Sequence, residues 1–494
     1  MSVDLLSRSR RNRLFAGLAL TIELASPLAT ASTVTSCADG ATALTTPGTL
    51  RYEVANAGEG ATVDFNLPPE CNSTITLETA AISIAQNSLT IAGPIGGTVT
   101  LRNDVTGANN GGNGVYDRVI KHTGTGTLGL SRLAITDGYF ANFSVQASGG
   151  CVYSNGALIL SHARISGCKL LTLPGIEGDP TRYGSGGGIA ATGSVKVYYS
   201  TITGNISRGY RMDDKYPHAS CGGVFSGGPA TIIGSTISYN KAVTAFGSGG
   251  GLCLAKGGII LSSTISGNSV GLSEGSDYPA ALARGGGVYA PAAPGQTLLL
   301  VNSTISGNTA TTVTGGVHAA LPTGLFASTI AFNTAGQGKL AGAYAAPGVA
   351  LFGVYTDQLI STLIAYNSYG SVQHDFSAYR VSSDGPKTTV EGSNDFIAAT
   401  RGSEVPPYTI TGHCAALDLL RDNGGPTKTH ALLSFSQAFD EGAVINLGFG
   451  DIVIDQRQLP RQSGPFPDVG SYEAQKDDLL FSTNFEQCPF TAPT

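Results

Sequence analysis

Charged and tyrosine side chains concentrate in three long segments of the chain, residues 169–185, 206–220 and 269–284. Carboxylates beside arginine and tyrosine suit carbohydrate recognition, because sugar hydroxyls bond to charged groups while the apolar face of a sugar packs on an aromatic ring. The side chains that we expect to contact such a ligand are Arg182, Tyr183, Arg208, Tyr210, Tyr216, His218 and Tyr278.

The same segments carry groups that could cleave an acidic polysaccharide. Lyase chemistry needs a base that removes the proton next to the uronate carboxylate, and a cation that neutralises this carboxylate. Asp213, Asp214 and Asp277 form the only plausible calcium site, and no other cofactor is expected. The candidate bases are Arg211, Lys215 and Arg284. Hydrolysis would instead pair Asp213 with Asp277 as acid and base.

Charged residues on exposed loops are often only solvated, so three functions stay open. The first is a non-catalytic protein that binds a glycan or a cell surface through these segments. The second is an enzyme that degrades an acidic polysaccharide, as a lyase rather than a hydrolase. The third is a structural spacer. The sequence carries no signal for an oligomeric state.

The elements that must position these segments are repeats. A Ser-Thr-Ile-x-x-Asn motif recurs at residues 200–205, 235–240, 263–268, 303–308 and 328–333. A glycine run closed by an aliphatic residue precedes each motif, at residues 186–189, 222–224, 249–252, 285–288 and 315–317. The period is irregular, but self-similarity of this kind is typical of solenoids, in which each repeat packs on its neighbours.

Within a repeat, apolar runs of a few residues alternate with turn residues, so each short strand must pair with its equivalent in the next repeat. This pattern predicts an all-β protein, a right-handed parallel β-helix with coils about 4.8 Å apart. The isoleucines would stack inside as Ile202, Ile237, Ile265, Ile305 and Ile330. The asparagines would stack at a corner, in left-handed backbone conformation and bonded to one another, as Asn205, Asn240, Asn268, Asn308 and Asn333.

Both ends depart from the repeat. Residues 48–58 predict a short amphipathic helix that covers the open first coil. We therefore divide the chain into an N-terminal cap with the first coils (32–130), the repeats with their long loops on one side (131–368), the last coils with an irregular C-terminal cap (369–475), and a tail (476–494).

Residues 1–31 have the basic start, apolar stretch and small-residue end of an export signal peptide. Eight cysteines suit disulfides in an oxidising compartment, and Cys37–Cys71 and Cys221–Cys253 are the pairs we expect. A net charge of −6 disfavours nucleic acid as a partner, and no apolar stretch is long enough to be a transmembrane segment. The expected location is secreted or at the cell surface, with the periplasm as an alternative.

The glycine runs, together with pieces such as residues 331–333 and 365–367, resemble the repeats of polymorphic outer-membrane proteins and other pectin-lyase-like β-helices. Residues 422–427, 429–433, 455–457 and 467–473 resemble the C-terminal region of secreted bacterial proteins with a choice-of-anchor Q domain. The resemblance implies an exported, often surface-anchored protein, for which an adhesin-like role is more usual than a reaction.

Overall fold

The computed structural model describes residues 32–106, 114–142, 149–172, 184–209, 218–244, 246–271, 283–336, 346–353, 355–379, 388–400, 403–447, 450–475 and Asp478. These residues wind into a right-handed parallel β-helix, as the sequence predicts. Neighbouring strands in each sheet pair in parallel, except for the final pair Ser368–Tyr369 and Val372–Gln373. Successive coils therefore lie directly over one another.

The described strands belong to five sheets, which we number I to V; every coil contributes to sheet I, whereas sheets III and IV exist only in part of the solenoid. Sheet I contains Ser32–Val34, Thr62–Phe65, Leu89–Ala92, Thr127–Ser131, Ala157–Ser161, Val195–Tyr198, Ala230–Ile233, Gly258–Leu261, Leu298–Val301, Thr323–Phe326, Thr356–Ile360 and Thr389–Ser393. Sheet II contains Thr74–Leu77, Val99–Asn103, Leu133–Thr136, Arg164–Ser166, Thr201–Thr203, Thr236–Ser238, Thr264–Ser266, Thr304–Ser306, Thr329–Ala331, Leu363–Ala365 and Phe396–Ile397.

The other three sheets complete the coil. Sheet III contains Tyr139–Asn142, Lys169–Thr172, Ile206–Gly209, Lys241–Val243, Ser269–Gly271, Thr309–Ala310, Thr334–Ala335, Ser368–Tyr369 and Val372–Gln373. Sheet IV is short and contains Gly184–Ser185, His218–Ser220, Phe246–Ser248 and Ala283–Arg284. Sheet V contains Ile82–Ile84, Ile120–His122, Val152–Ser154, Ile189–Ala191, Val224–Ser226, Leu252–Leu254, Val288–Ala290, Val317–Ala319, Val349–Phe352 and Phe376–Tyr379.

The interior is a set of aliphatic ladders that run the length of the solenoid. The predicted isoleucine ladder is confirmed, because Ile202 pairs with Ile237 and the register continues to Ile330. All five of its isoleucines are fully buried, in one continuous core with inward residues of sheets I and V. Burial of such side chains is the main favourable term for folding.

The predicted N-terminal helix is confirmed as Leu50–Asn56. It begins at Thr49, whose side chain accepts a hydrogen bond from the Tyr52 backbone N–H, an ordinary N-cap. Leu50 and Val54 are buried in the main core, so the helix covers the first coil as expected.

The C-terminal segment, residues 403–475, is irregular and we call it the strap. Val405 packs against the end of the core, whereas other parts of the strap fold back along the outer faces of sheets I and II. The Thr264 hydroxyl donates to the Lys428 carbonyl at 2.6 Å, and Ser471 N–H donates to the Thr329 hydroxyl at 2.9 Å. The strap therefore covers the side of several coils as well as their end.

Disulfides join the turns of the solenoid. Both predicted pairs are present, Cys37–Cys71 and Cys221–Cys253, with Cα atoms 5.7 and 5.4 Å apart. The structure adds Cys151–Cys168, which the sequence gave no reason to choose. Cross-links of this kind stabilise a fold mainly by constraining the unfolded chain.

The asparagine ladder is the most regular polar feature of the interior. Each side-chain amide donates to the next asparagine's Oδ1 at 2.9 Å, from Asn205 through to Asn367. Each Oδ1 also accepts the backbone N–H of the preceding asparagine, as at Asn240 and Asn268. Because these amides are buried, their complete pairing avoids the cost of unsatisfied polar groups.

One detail of the predicted corner was wrong. The left-handed conformation belongs to the residue before each asparagine, with φ between 53° and 66° at Gly204, Tyr239, Gly267, Gly307, Phe332 and Tyr366. The turn is completed before the asparagine, whose side chain can then point inward and join the ladder.

The glycine runs contact the asparagine ladder directly, which explains why the two motifs occur together. A Cβ atom added at Gly188, Gly223, Gly251, Gly287, Gly316 or Gly348 would lie 2.7–3.1 Å from the amide nitrogen of the asparagine in the same coil. Only a residue without a side chain fits between this amide and the carbonyl of the next coil.

We predict that Gly251→Ala destabilises the protein by about 2–3 kcal/mol, because overpacking a filled interior forces the backbone to move. The added Cβ would lie 2.7 Å from the Gly287 carbonyl oxygen and 2.9 Å from the Asn268 amide nitrogen. Urea denaturation followed by circular dichroism measures the effect. Gly58→Ala is the control, since no atom lies within 4 Å of its added Cβ. Equal midpoints for the two variants would contradict the close fit.

Candidate functional site

Sheets III and IV form a layered projection from the coil, which we call the fin. Ala242, Val270 and Ala310 of sheet III pack on Ala283 of sheet IV in a small apolar cluster. The glycine runs form the neck of the fin, because a Cβ at Gly222 would lie 2.5 Å from backbone atoms of Lys241. The chain leaving sheet IV thus crosses tightly against the start of the next strand of sheet III.

The three long segments proposed to carry the site all connect sheet III to sheet IV. Residues 173–183, 210–217 and 272–282 lie outside the described residues, but the strands on either side of them are placed. Those strands stack in parallel register, with Thr172 opposite Gly209 and Gly184 opposite Ala219. The attachment points of the segments therefore lie along the fin.

Most of the proposed site residues lie outside the described residues, namely Arg182, Tyr183, Tyr210, Arg211, Asp213, Asp214, Lys215, Tyr216, Asp277 and Tyr278. Three are placed. Arg208 is exposed on a strand of sheet III, His218 begins a strand of sheet IV, and Arg284 ends another. No group of three metal-binding side chains occurs among the described residues.

Two further cations accompany Arg208, and the sequence reasoning missed them. Lys169, Arg208 and Lys241 are exposed on successive strands of sheet III. In the strand register Ile206 pairs with Lys169 on one side and with Lys241 on the other, and Arg208 lies two residues after Ile206 on the middle strand. Within the described part of the chain no carboxylate lies at ion-pair distance from any of the three. The sequence did contain a signal for the exposure of Lys241. This lysine directly follows the inward-pointing ladder residue Asn240, so its own side chain points outward.

An exposed tyrosine borders these cations. Tyr239 is 66% exposed and occupies the left-handed turn two residues before Lys241. One side of its ring lies over Gly267, the equivalent residue of the next coil, where an added Cβ would be 2.7 Å from the ring. At Gly204, the equivalent residue of the preceding coil, no atom lies within 4 Å of an added Cβ. We call Lys169, Arg208, Lys241 and Tyr239 the cationic face.

Arg284 lies on the other side of the fin, near sheet V. It forms an isolated bridge with Thr314, and its charge acts together with burial to lower the pKa of His318 to about 3. The His318 ring is stacked between Tyr289 and Phe352, with centroid distances of 5.5 and 4.6 Å. This histidine is neutral and buried, so its role is packing.

Three buried carboxyls with raised pKa values, Asp357, Asp375 and Asp395, lie at the C-terminal end of the solenoid, away from the cationic face. Asp375 accepts the last amide of the asparagine ladder from Asn367 at 2.9 Å, and burial raises the pKa of Asp375 to about 7. Asp395 accepts the Thr362 backbone N–H at 2.8 Å, while its second oxygen has no partner. These carboxyls are structural.

The buried acidic and basic residues of the strap are also structural. Arg457 and Asp455 form a buried ion pair at 2.9 Å, and the arginine lies over the Tyr472 ring at 3.7 Å. Asp455 further accepts backbone N–H groups of Arg457, Leu459 and Glu473. These groups therefore provide hydrogen bonds within the strap itself.

The described part of the chain is a right-handed parallel β-helix with the cationic face on one flank. This fold class is established by the parallel pairing of the strands. No family model matches the sequence. No curated protein sequence matches it. Among solved structures, the crystal structure of pectate lyase Pel9A is similar, with 12% identity and a TM-score of 0.45 over 90% of this chain and 97% of that one. A likeness at this level does not bear on activity.

We predict that Asp395→Asn weakens the pH dependence of stability. Burial raises the pKa of Asp395 well above its ordinary value of 3.8, so the native state keeps a proton that the unfolded chain releases. The free energy of unfolding should therefore fall as pH rises above about 4. The asparagine keeps the acceptor for Thr362 and introduces no charge, so the decline becomes shallower and the variant matches or exceeds the natural protein near pH 8.

Urea midpoints across this pH range measure the effect. Glu70→Gln is the control, because Glu70 is exposed and its variant should follow the natural protein. Asp375 and Asp357 also have pKa values raised by burial, so a reduced rather than abolished decline is expected. Parallel curves for Asp395→Asn and the natural protein would contradict the assignment.

Proposed function

We propose that this protein is an exported or surface-displayed β-helix that binds an acidic polysaccharide along the fin, without cleaving it. The observation that carries the proposal is the row of exposed cations, Lys169, Arg208 and Lys241, which have no carboxylate partner among the described residues. Cations in this arrangement favour a regular, extended polyanion as ligand.

The geometry of the solenoid favours a ligand that lies along its axis. Lys169 and Lys241 are separated by one intervening coil, which corresponds to about 9.6 Å between their strands. Tyr239 offers a ring at the edge of the same face, on which the apolar side of a sugar can pack. The long segments that connect sheets III and IV would then border the bound chain.

Separate observations support the proposed location outside the cytosol. The disulfides Cys37–Cys71, Cys151–Cys168 and Cys221–Cys253 suit an oxidising compartment outside the cytosol. No described helix has the length and apolarity required to cross a membrane. The resemblance of the repeats and of the strap to surface-anchored β-helical proteins supports display at a cell surface, where acidic glycans occur.

Replacing all three cations, as Lys169→Gln, Arg208→Gln and Lys241→Gln together, should weaken binding of oligogalacturonate about tenfold, since each exposed ion pair contributes roughly 0.5 kcal/mol. Isothermal titration with oligogalacturonate measures the change. Binding by the natural protein should also weaken as salt increases, because exposed charges are screened.

The matched control replaces two other exposed lysines and an exposed arginine, as Lys121→Gln, Lys196→Gln and Arg164→Gln together. These residues lie on sheets V, I and II, so the control removes the same charge from other faces. Equal loss of affinity in both triple variants would show that net charge, rather than the fin, governs binding, and would overturn the proposal.

Cleavage of the same polysaccharide by a lyase is the second candidate. The observation in its favour is that Arg284, one of the proposed bases, lies on the fin directly after the segment that contains Asp277. Asp213, Asp214 and Asp277 would supply the calcium site in this alternative.

We expect no unsaturated product when the protein is incubated with polygalacturonate and calcium and followed by ultraviolet absorbance. Product that forms with the natural protein and disappears in Arg284→Ala or Asp213→Ala would replace the binding function with a lyase. Absence of both product and glycan binding would leave the structural spacer as the function.

A further inference from the structure

A cleft of about 680 Å³ lies between two segments of the strap, residues 409–413 and 436–441, at the C-terminal end of the solenoid. Its lining includes Ile410, Thr411, His413, Gln437, Phe439 and Glu441. None of these residues belongs to the fin, whose cationic face lies on strands between residues 169 and 243. The volume is in the range that holds a small ligand.

The backbone around the cleft is held on both sides. Ile410 N–H donates to the Asp395 carbonyl at 2.8 Å, and Gly412 N–H donates to the Ala398 carbonyl at 3.1 Å, so this wall extends sheet II. On the opposite wall, Ala438 accepts from Val469 N–H at 2.8 Å and Asp440 N–H donates to the Asp468 carboxylate at 2.9 Å. The lining is therefore preorganised, which lowers the entropic cost of binding.

Four polar side chains of the lining have no hydrogen-bond partner among the described residues: Thr411, His413, Gln437 and Glu441. All four are exposed. Together they offer a hydroxyl, an imidazole, an amide and a carboxylate. Phe439 and Ile410 add a half-buried apolar surface between them.

We propose that this cleft is a second carbohydrate-binding site, specific for a neutral sugar. Amide, carboxylate and imidazole groups bond well to neighbouring sugar hydroxyls, while the Phe439 ring contacts an apolar sugar face. Among the described residues no lysine or arginine lines the cleft, and Glu441 would repel a uronate. The specificity is thus opposite to that of the cationic face, and the two sites are independent.

Isothermal titration of the full chain tests the proposal, with cellohexaose, xylohexaose and mannohexaose as neutral probes. Hexagalacturonate and a chitosan hexamer serve as anionic and cationic probes. At least one neutral probe should bind, and the double variant Gln437→Ala, Glu441→Ala should weaken that binding about tenfold through loss of two hydrogen-bonding groups. Because these side chains make no hydrogen bonds within the described chain, the variant should keep the circular dichroism spectrum of the natural protein.

The matched control is Gln358→Ala, Glu391→Ala, which removes an exposed glutamine and glutamate from the outer face of sheet I. Neutral-sugar binding should be unchanged in this control and in the triple variant of the cationic face. No binding of any neutral probe at millimolar concentration, binding of the chitosan hexamer alone, or equal loss in the control would overturn the proposal. Loss of hexagalacturonate binding alone would count against the function proposed for the cationic face and not against the cleft.

Discussion

From Asn205 to Asn367 the solenoid depends on the contact between one asparagine amide and one glycine in each coil. The amide donates to the asparagine of the next coil, and the glycine lets the returning chain pass within van der Waals distance of that amide, as at Asn268 and Gly251. A larger residue at the glycine position would separate the coils or displace the amide from its partners. The interior aliphatic ladders can stay in register because this corner has the same dimensions in every repeat.

The same contact explains why the long segments can vary. The neck of the fin closes each coil before the chain extends into a segment, so the strands of sheets I, II and V pair in register whatever the length of the insertion. Variation in a loop therefore costs little in stability. A rigid solenoid with variable attachments on one flank is an arrangement that suits recognition of an extended ligand.

Much of the fold could be predicted because the signals were repeated. Ile202 and its equivalents define the core, and the glycine at the end of residues 48–58 defines the capping helix. The left-handed position was misassigned because asparagine often adopts this conformation, whereas here Tyr239 and Phe332 adopt it and the asparagine turns inward. The strands of sheet IV were missed because two or three residues next to irregular segments carry no periodicity.

Less of the candidate site could be predicted. The charged and tyrosine residues of the long segments were noticeable from composition alone. Lys169 and Lys241, however, belong to regular strands, and only the strand register shows that they lie on the same face as Arg208. The cleft beside Phe439 had no sequence signal, because residues 409–413 and 436–441 are brought together by the path of the strap. Sites made by tertiary contact between irregular segments are not visible in local patterns.

The bonds between asparagine side chains have a direction: in each of them the amide donates toward the C-terminal end, and the last acceptor is the carboxylate of Asp375. Between any two neighbouring coils of the ladder, the donor is an asparagine amide and the acceptor is an asparagine Oδ1. A whole coil can therefore be duplicated or deleted between Asn205 and Asn367 without changing the hydrogen bonds at either terminus. The ladder itself thus sets no limit on the number of coils, provided that its end groups are retained.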